Sequence, residues 1–177
     1  MSNWQYAGAI PTNPWRSAMS VPRKISLKTI NKKVTLMQQP AEGLASLDRN
    51  SYAKSWDTLP QGNQKLQLSG KTLDITLSFS SSNAPTQFGI ILRATSDLTQ
   101  QTRVGYDFST KKMFVDRRDS GNDGFDGTFA NIYHAPLSAA ADGKVTMQIL
   151  LDWSSVEVFG GDGEVTLTTN FPSRQWH

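Results

Sequence analysis

The feature that most constrains this fold is a two-residue alternation of side-chain polarity in several separated runs. Leu73, Ile75, Leu77 and Phe79 alternate with Asp74, Thr76, Ser78 and Ser80, and Val145, Met147, Ile149 and Leu151 repeat the period. Val104, Tyr106 and Phe108 form a shorter run, as do Val165 and Leu167. In an extended chain this period puts every apolar side chain of a run on one face, leaving the other face wet. Turn-forming clusters separate the runs: Ser80 to Pro85, Lys111-Lys112, and Gly160-Gly161-Asp162-Gly163. Strands at this spacing predict an all-β fold, an antiparallel β-sandwich.

Other segments fill in the pattern. Phe88-Gly89-Ile90-Ile91-Leu92 is apolar on both faces and predicts a central strand between two layers. Val34 to Gln38 predicts a strand stopped by Pro40, and from Gln64 onward the period-2 signal strengthens, with Leu66 and Leu68 alternating with polar residues. Met113 to Asp116 and Val156 to Phe159 are further strands, and Glu42 to Lys54 is the one place for a short helix, with Leu44, Leu47 and Tyr52 inward. Lys24 to Asn31 reads as a linker that ends in a strand-like segment. The composition agrees: 10% aromatics with 13 glycines and 8 prolines favour β structure over a helical bundle.

Charge and cysteine content exclude several function classes. A net charge of +3 with no dense Lys/Arg block gives no electrostatic footprint for nucleic acid. Lys111-Lys112 and Arg117-Arg118 bracket one strand and read as solvated strand ends. With no cysteine there is no disulfide framework and no thiolate zinc site. No apolar run approaches transmembrane length, so no membrane partner is expected. No Asn-x-Ser/Thr sequon occurs.

The first 23 residues carry the functional signal. Met1-Ser2-Asn3-Trp4-Gln5-Tyr6 is followed by Pro11-Thr12-Asn13-Pro14-Trp15-Arg16-Ser17-Ala18-Met19 and then Pro22-Arg23. Three prolines exclude a long helix, so the segment reads as a short strand and an extended connection. Further on stand Val104-Gly105-Tyr106-Asp107, Phe114-Val115-Asp116-Arg117, Ser120-Gly121-Asn122, and Asp152 with Ser154-Ser155-Val156-Glu157-Val158-Phe159-Gly160. Together these motifs resemble glycoside hydrolase family 32, the β-fructosidases: invertases, inulinases and levanases. Nearly the whole chain is covered, and the exo-acting inulinases and levanases resemble it most.

The resemblance implies that residues 1–22 end a five-bladed catalytic propeller, 23–31 are a linker, and 32–177 form a C-terminal β-sandwich. It implies truncation at both ends, the sandwich being incomplete at its C-terminus. It implies retaining hydrolysis of terminal β-fructofuranosyl residues of fructan or sucrose, without cofactor, by a secreted parent enzyme. The resemblance allows a homodimer through the sandwich. The family's two catalytic carboxyl groups sit roughly 5–5.5 Å apart in Asn-Asp-Pro-Asn and Glu-Cys-Pro segments, with an Arg-Asp-Pro aspartate assisting. None of the three motifs occurs here. No residue of this chain is therefore expected to be catalytic, and the chain alone is expected to be inactive. Trp4 is the tryptophan that the resemblance places in the terminal-fructose pocket, with Asn3 beside it. An indole offers a flat apolar face to the C–H face of a sugar.

Substitute chemistry finds little material. Asp116, Asp119, Asp123 and Asp126 cluster, but from Asp119 the third calcium-loop position is Gly121 and the twelfth is Ala130, so no metal site is expected. Of the two histidines, His134 reads as a half-buried packing residue. Trp15 and Arg16 read as fasteners between domains. Trp153 stands where the family commonly carries arginine, which removes a planar five-donor cation. The rival reading is a lectin-like fructan-binding module, which Trp56 and Trp153 keep open.

Overall fold

The computed structural model describes residues 5–12, 18–80 and 86–170. Among these, ten strands form three antiparallel sheets. β1 (Arg23–Ile30) and β2 (Lys33–Pro40) make a hairpin, and a 3-10 helix follows at Glu42–Leu47. β3 (Leu73–Ser80), β4 (Gln87–Leu92), β5 (Thr102–Asp107) and β6 (Lys112–Asp116) come next. β7 (Ile132–Pro136), β8 (Lys144–Leu151), β9 (Ser155–Gly160) and β10 (Val165–Asn170) complete the set. One four-stranded sheet has the order β10-β9-β8-β3 and the other β4-β5-β6-β7.

The alternating runs supply the interface between these two sheets. Val145, Met147, Ile149 and Leu151 of β8 meet Val104, Tyr106, Met113 and Val115 of β5 and β6 in one buried cluster, with Leu73, Ile75, Leu77 and Phe79 packed against it. The register of β3 on β8, Leu73↔Leu151 through Phe79↔Val145, puts both apolar sets on the same face. A slip by one residue would turn every one of them to water, so the pattern itself fixes the pairing. The one hydroxyl among these core side chains is satisfied, since the Tyr106 phenol donates to the Leu137 carbonyl at 2.9 Å.

Several expectations need correction. Lys24 to Ile30 is strand along its whole length, part of β1 and fully paired with β2, and not strand-like at its end alone. A two-residue turn closes this hairpin, with Asn31 and Lys32 both at positive φ (50° and 65°), the backbone that matches the twist of paired strands. Phe88 to Leu92 is the edge strand β4 and not a central one. Phe88, Ile90 and Leu92 pair with Tyr106, Val104 and Thr102 on the core face, while Ile91 lies opposite Arg103 on the outer face. Leu66 and Leu68 are in no strand; Leu66 is half-buried and Leu68 is exposed. The helix covers only the first part of Glu42 to Lys54; Leu44 is half-buried, but Leu47 and Tyr52 face water. β7, which the sequence pattern did not reveal, is a five-residue edge strand ending in Pro136, a position where a missing amide proton costs no ladder bond. His134 on β7 is exposed and not half-buried.

The β1–β2 hairpin approaches the sandwich closely at Gly163. The Gln38 amide donates to the Gly163 carbonyl at 2.8 Å. Gly163 has φ +89°, and a Cβ there would strike the Gln38 carbonyl oxygen and come within 3.0 Å of Gln39 Cγ. Gly163→Ala is therefore expected to destabilise the chain by about 1–3 kcal/mol, from backbone strain together with overpacking. Urea unfolding checks this: an unchanged midpoint would show that the hairpin contributes no stability through this contact.

Candidate functional site: two arginine clamps on the amino-terminal segment

Arg117 is the largest fully buried side chain of the sandwich, with 0% exposure. This corrects the reading of Arg117 as a solvated strand end. It follows directly after β6, where the chain turns in beneath the end of β10. Nη1 donates to Thr169 Oγ1 at 2.7 Å and to the Asn170 carbonyl at 2.8 Å. Nη2 donates to the Tyr6 hydroxyl at 2.8 Å and the Tyr133 hydroxyl at 2.9 Å. The guanidinium carbon also lies 3.9 Å from the Phe129 ring centroid, 5.0 Å from that of Tyr133 and 5.2 Å from that of Tyr6. Among the described residues no carboxylate bridges it. Every partner is neutral: two phenols, a hydroxyl, a carbonyl and three aromatic faces. Burial raises the Tyr133 phenol above its ordinary value and the Arg117 charge only partly offsets this, so Tyr133 stays neutral at pH 7.

Tyr6 brings the amino-terminal segment to this cage. It is buried, whereas its neighbours from Gln5 to Thr12 are half-buried or exposed. Its ring meets Phe129 edge-on at 5.2 Å, and Phe129 in turn packs on Phe125 at 4.6 Å. The Ala9 and Ile10 amides both donate to the Tyr6 carbonyl, at 2.9 and 3.2 Å, so the segment turns here. Gln5 and Tyr6 thus lie in a turn and not in the expected short strand.

The second clamp centres on Glu157 of β9. Its side chain projects from the outer face of the β10-β9-β8-β3 sheet yet is only 4% exposed. Oε2 accepts from Arg23 Nη2 at 2.6 Å, and Oε1 accepts from the Val21 amide at 2.8 Å. Arg23 also donates to Thr168 Oγ1 at 2.7 Å and to Gln38 Oε1 at 2.9 Å, and it lies over the Phe159 ring at 5.2 Å. Between the hairpin and this sheet runs an open cleft of about 380 Å³, lined by Lys24, Glu42, Thr76, Thr146, Gln148 and Phe159 among others.

Two aspartates of the cluster, Asp116 and Asp126, are bonded to their own neighbours. Asp116 accepts from Arg118 Nε at 2.9 Å and Nη2 at 2.7 Å, and from Arg103 at 2.5 Å. Burial alone would raise its pKa, but the bonds to Arg118 and Arg103 win and hold it at about 2. Asp126 Oδ1 accepts from the Thr128 amide at 2.8 Å and the Thr128 hydroxyl at 2.5 Å, closing a turn. Among the described residues no group of three His, Cys, Asp or Glu side chains could hold a metal ion. Trp153 is 52% exposed, with Lys71 Nζ 4.3 Å from its ring centroid, and Trp56 is 41% exposed, with Lys54 Nζ at 5.5 Å. Trp4, Asn3, Trp15 and Arg16 lie outside the described residues.

Residues 43–176 match the family model "Glycosyl hydrolases family 32 C terminal". The chain belongs to glycoside hydrolase family 32. It is similar to the extracellular exo-inulinase of Aspergillus awamori, 49% identical over 176 residues, covering 98% of this chain and 33% of that protein. It is similar to the levanase of Bacillus subtilis (strain 168), 40% identical over 95% of this chain and 25% of that protein. The crystal structure of the Aspergillus awamori exo-inulinase superposes with a TM-score of 0.93 at 47% identity, over 98% of this chain and 34% of that one. The chain thus spans about a third of the length of the exo-inulinases it matches.

Two measurements test the clamps. Glu157→Gln should cost about 2–3 kcal/mol, below the 3–5 typical of a fully buried pair because Arg23 is partly wet; a change in melting free energy under 0.5 kcal/mol would mean that the pair is neutral. Asp116 has a folded pKa below its unfolded value. Its stabilisation is thus complete above about pH 4 and fades as pH falls through about 2. Both arginines are partly exposed, so the effect is discounted to about 1–2 kcal/mol. Asp116→Asn should therefore flatten the stability profile between pH 4 and 2, and a profile identical to wild type would exclude this role.

Proposed function

We propose that this chain is the C-terminal portion of a secreted β-fructosidase that hydrolyses terminal β-fructofuranosyl residues of fructan or sucrose by double displacement. In this reading residues 1–22 end the catalytic propeller, 23–31 connect and 32–177 are the sandwich. The observation that carries it is the match over 98% of the chain to an exo-inulinase, at 49% identity, with the fold reproduced at a TM-score of 0.93. Secretion is supported by the names of those relatives, which are extracellular. The sandwich is structural in this reading, and the nucleophile and acid/base come from sequence motifs this chain does not contain. Trp4, with Asn3 beside it, contributes to the wall of the fructose pocket.

The fructan-binding module ranks second. Two exposed tryptophans favour it, yet each has a lysine over its ring, and no contact among the described residues brings the two together. A sugar platform would present open, neighbouring aromatic faces.

The test is a graft in which this chain replaces the matching third of the Aspergillus awamori exo-inulinase. The isolated chain should release no fructose from sucrose, inulin or levan, whereas the graft should release it. Trp4→Ala in the graft should lower kcat/KM about a hundredfold, the scale of a 1 Å misplacement of substrate, with little change in Tm. Fructose release by the isolated chain, lost on mutating one of its own carboxylates, would overturn the structural role. A large fall in Tm with unchanged kcat/KM per folded molecule would remove Trp4 from the pocket.

A further inference from the structure

We propose that the cleft between the β1–β2 hairpin and the outer face of the β10-β9-β8-β3 sheet is a saccharide site that takes a short stretch of fructan chain. That the sugar is a fructan rests on the reading of the chain as part of a β-fructosidase; the site itself rests on its own geometry. Strand register builds the floor. Thr76, Gln148 and Phe159 pair across β3, β8 and β9 in one row, and the alternation puts all three on the outer face. The Gln148 amide nitrogen donates to both Asp74 carboxylate oxygens, at 3.0 and 2.9 Å, which fixes its orientation and leaves its carbonyl oxygen to accept. The Thr76 hydroxyl and the Gln39 amide on the opposite wall have no hydrogen-bond partner among the described residues. The walls are held before any ligand arrives, by the Arg23–Glu157 pair and by the Gln38 amide on the Gly163 carbonyl.

Charge decides the ligand class. The charged groups that line the cleft are already paired, Lys24 with Glu42 at 2.6 Å and Asp162 with Lys28 at 3.3 Å. Between these pairs lie amides and hydroxyls, which are neutral donors and acceptors. An ionic ligand would have to break a pair, whereas a neutral polyol matches what is left. A volume of about 380 Å³ falls within the range of small-molecule sites, and an open cleft lets a chain pass through. Phe159 is only 2% exposed, so no aromatic face is open for stacking. Retention then rests on hydrogen bonds, which favours a furanose, whose small ring offers less flat surface than a pyranose and relies more on its hydroxyls.

The experiment titrates the full 177-residue chain with nystose, a short fructan, and with maltotetraose, a glucan of the same length, following backbone amides by NMR. Nystose should bind with a Kd on the order of 1 mM, the scale of an open site without stacking. Its shifts should cluster at Thr76, Thr146, Gln148 and Gly161 to Gly163, and maltotetraose should bind at least about fivefold more weakly. Thr76→Val and Gln39→Ala alter exposed side chains and leave the core intact. Each should raise the nystose Kd about fivefold, the scale of one lost hydrogen bond between neutral groups. Trp56→Ala and Trp153→Ala should leave that Kd unchanged. The inference is overturned by the absence of saturable shifts in the cleft, by equal binding of the two sugars, or by binding that a tryptophan variant abolishes and Thr76→Val spares. A graft that folds but releases no fructose overturns the fructosidase reading and not the site, since binding is measured on this chain alone.

Discussion

The buried Arg117 guanidinium is the interaction on which the arrangement of this chain depends. Moving a cation out of water costs several kcal/mol even after relaxation. Four bonds to a charged donor, at roughly 1.5–3 kcal/mol each, and close contact with three aromatic rings offset a cost of that size. The balance depends on the whole set. Removing one acceptor leaves a buried cation under-satisfied, so strand β10, Tyr133 and the amino-terminal turn are energetically one unit. A carboxylate would have answered the charge at a single point. Neutral acceptors from three parts of the chain answer it only when all three are in place.

The two clamps change what counts as part of the sandwich. Tyr6 and Val21 lie in the stretch that the sequence motifs assign to the propeller, yet both are hydrogen-bonded to sandwich residues. The β1–β2 hairpin is likewise tied down, at Gly163 and through Arg23. On its other part the hairpin shows Ile25, Leu27, Val34 and Leu36 to solvent. In the register Leu27 faces Leu36, with Ile25 and Val34 one pair away on either side along the same face. The connection between the proposed domains is therefore a docked element that belongs to the sandwich at its base.

Much of the fold was legible because one face of each sheet is buried and the other wet. In β3 and β8 that difference writes a period of two straight into the sequence. Legibility failed where burial came from somewhere else. Glu157 and Phe159 are outward residues covered by Arg23, and Arg117 is a charge buried by distant aromatics; no local pattern announces either. The Arg117-Arg118 doublet misled for the same reason, since adjacent side chains diverge: Arg118 reaches Asp116 at the surface and Arg117 turns inward. β7 was hidden by its length and by Pro136. The family, by contrast, was legible through motifs, and Tyr6, Arg117 and Glu157 all sit within them.

The spacing of the clamp partners along the chain adds an order of events. Tyr6 and Arg117 are 111 residues apart, and Arg23 and Glu157 are 134 apart. Contacts that close such long loops are costly until the intervening structure has formed. The acceptors for Arg117 on β10 and the platform for Arg23 on β9 and β10 exist only once β8, β9 and β10 are paired. The amino-terminal segment can therefore lock only onto a sandwich that is already built. Strand β10 supplies acceptors to both clamps, Thr169 and Asn170 to Arg117 and Thr168 to Arg23, so a change that disturbs it weakens both.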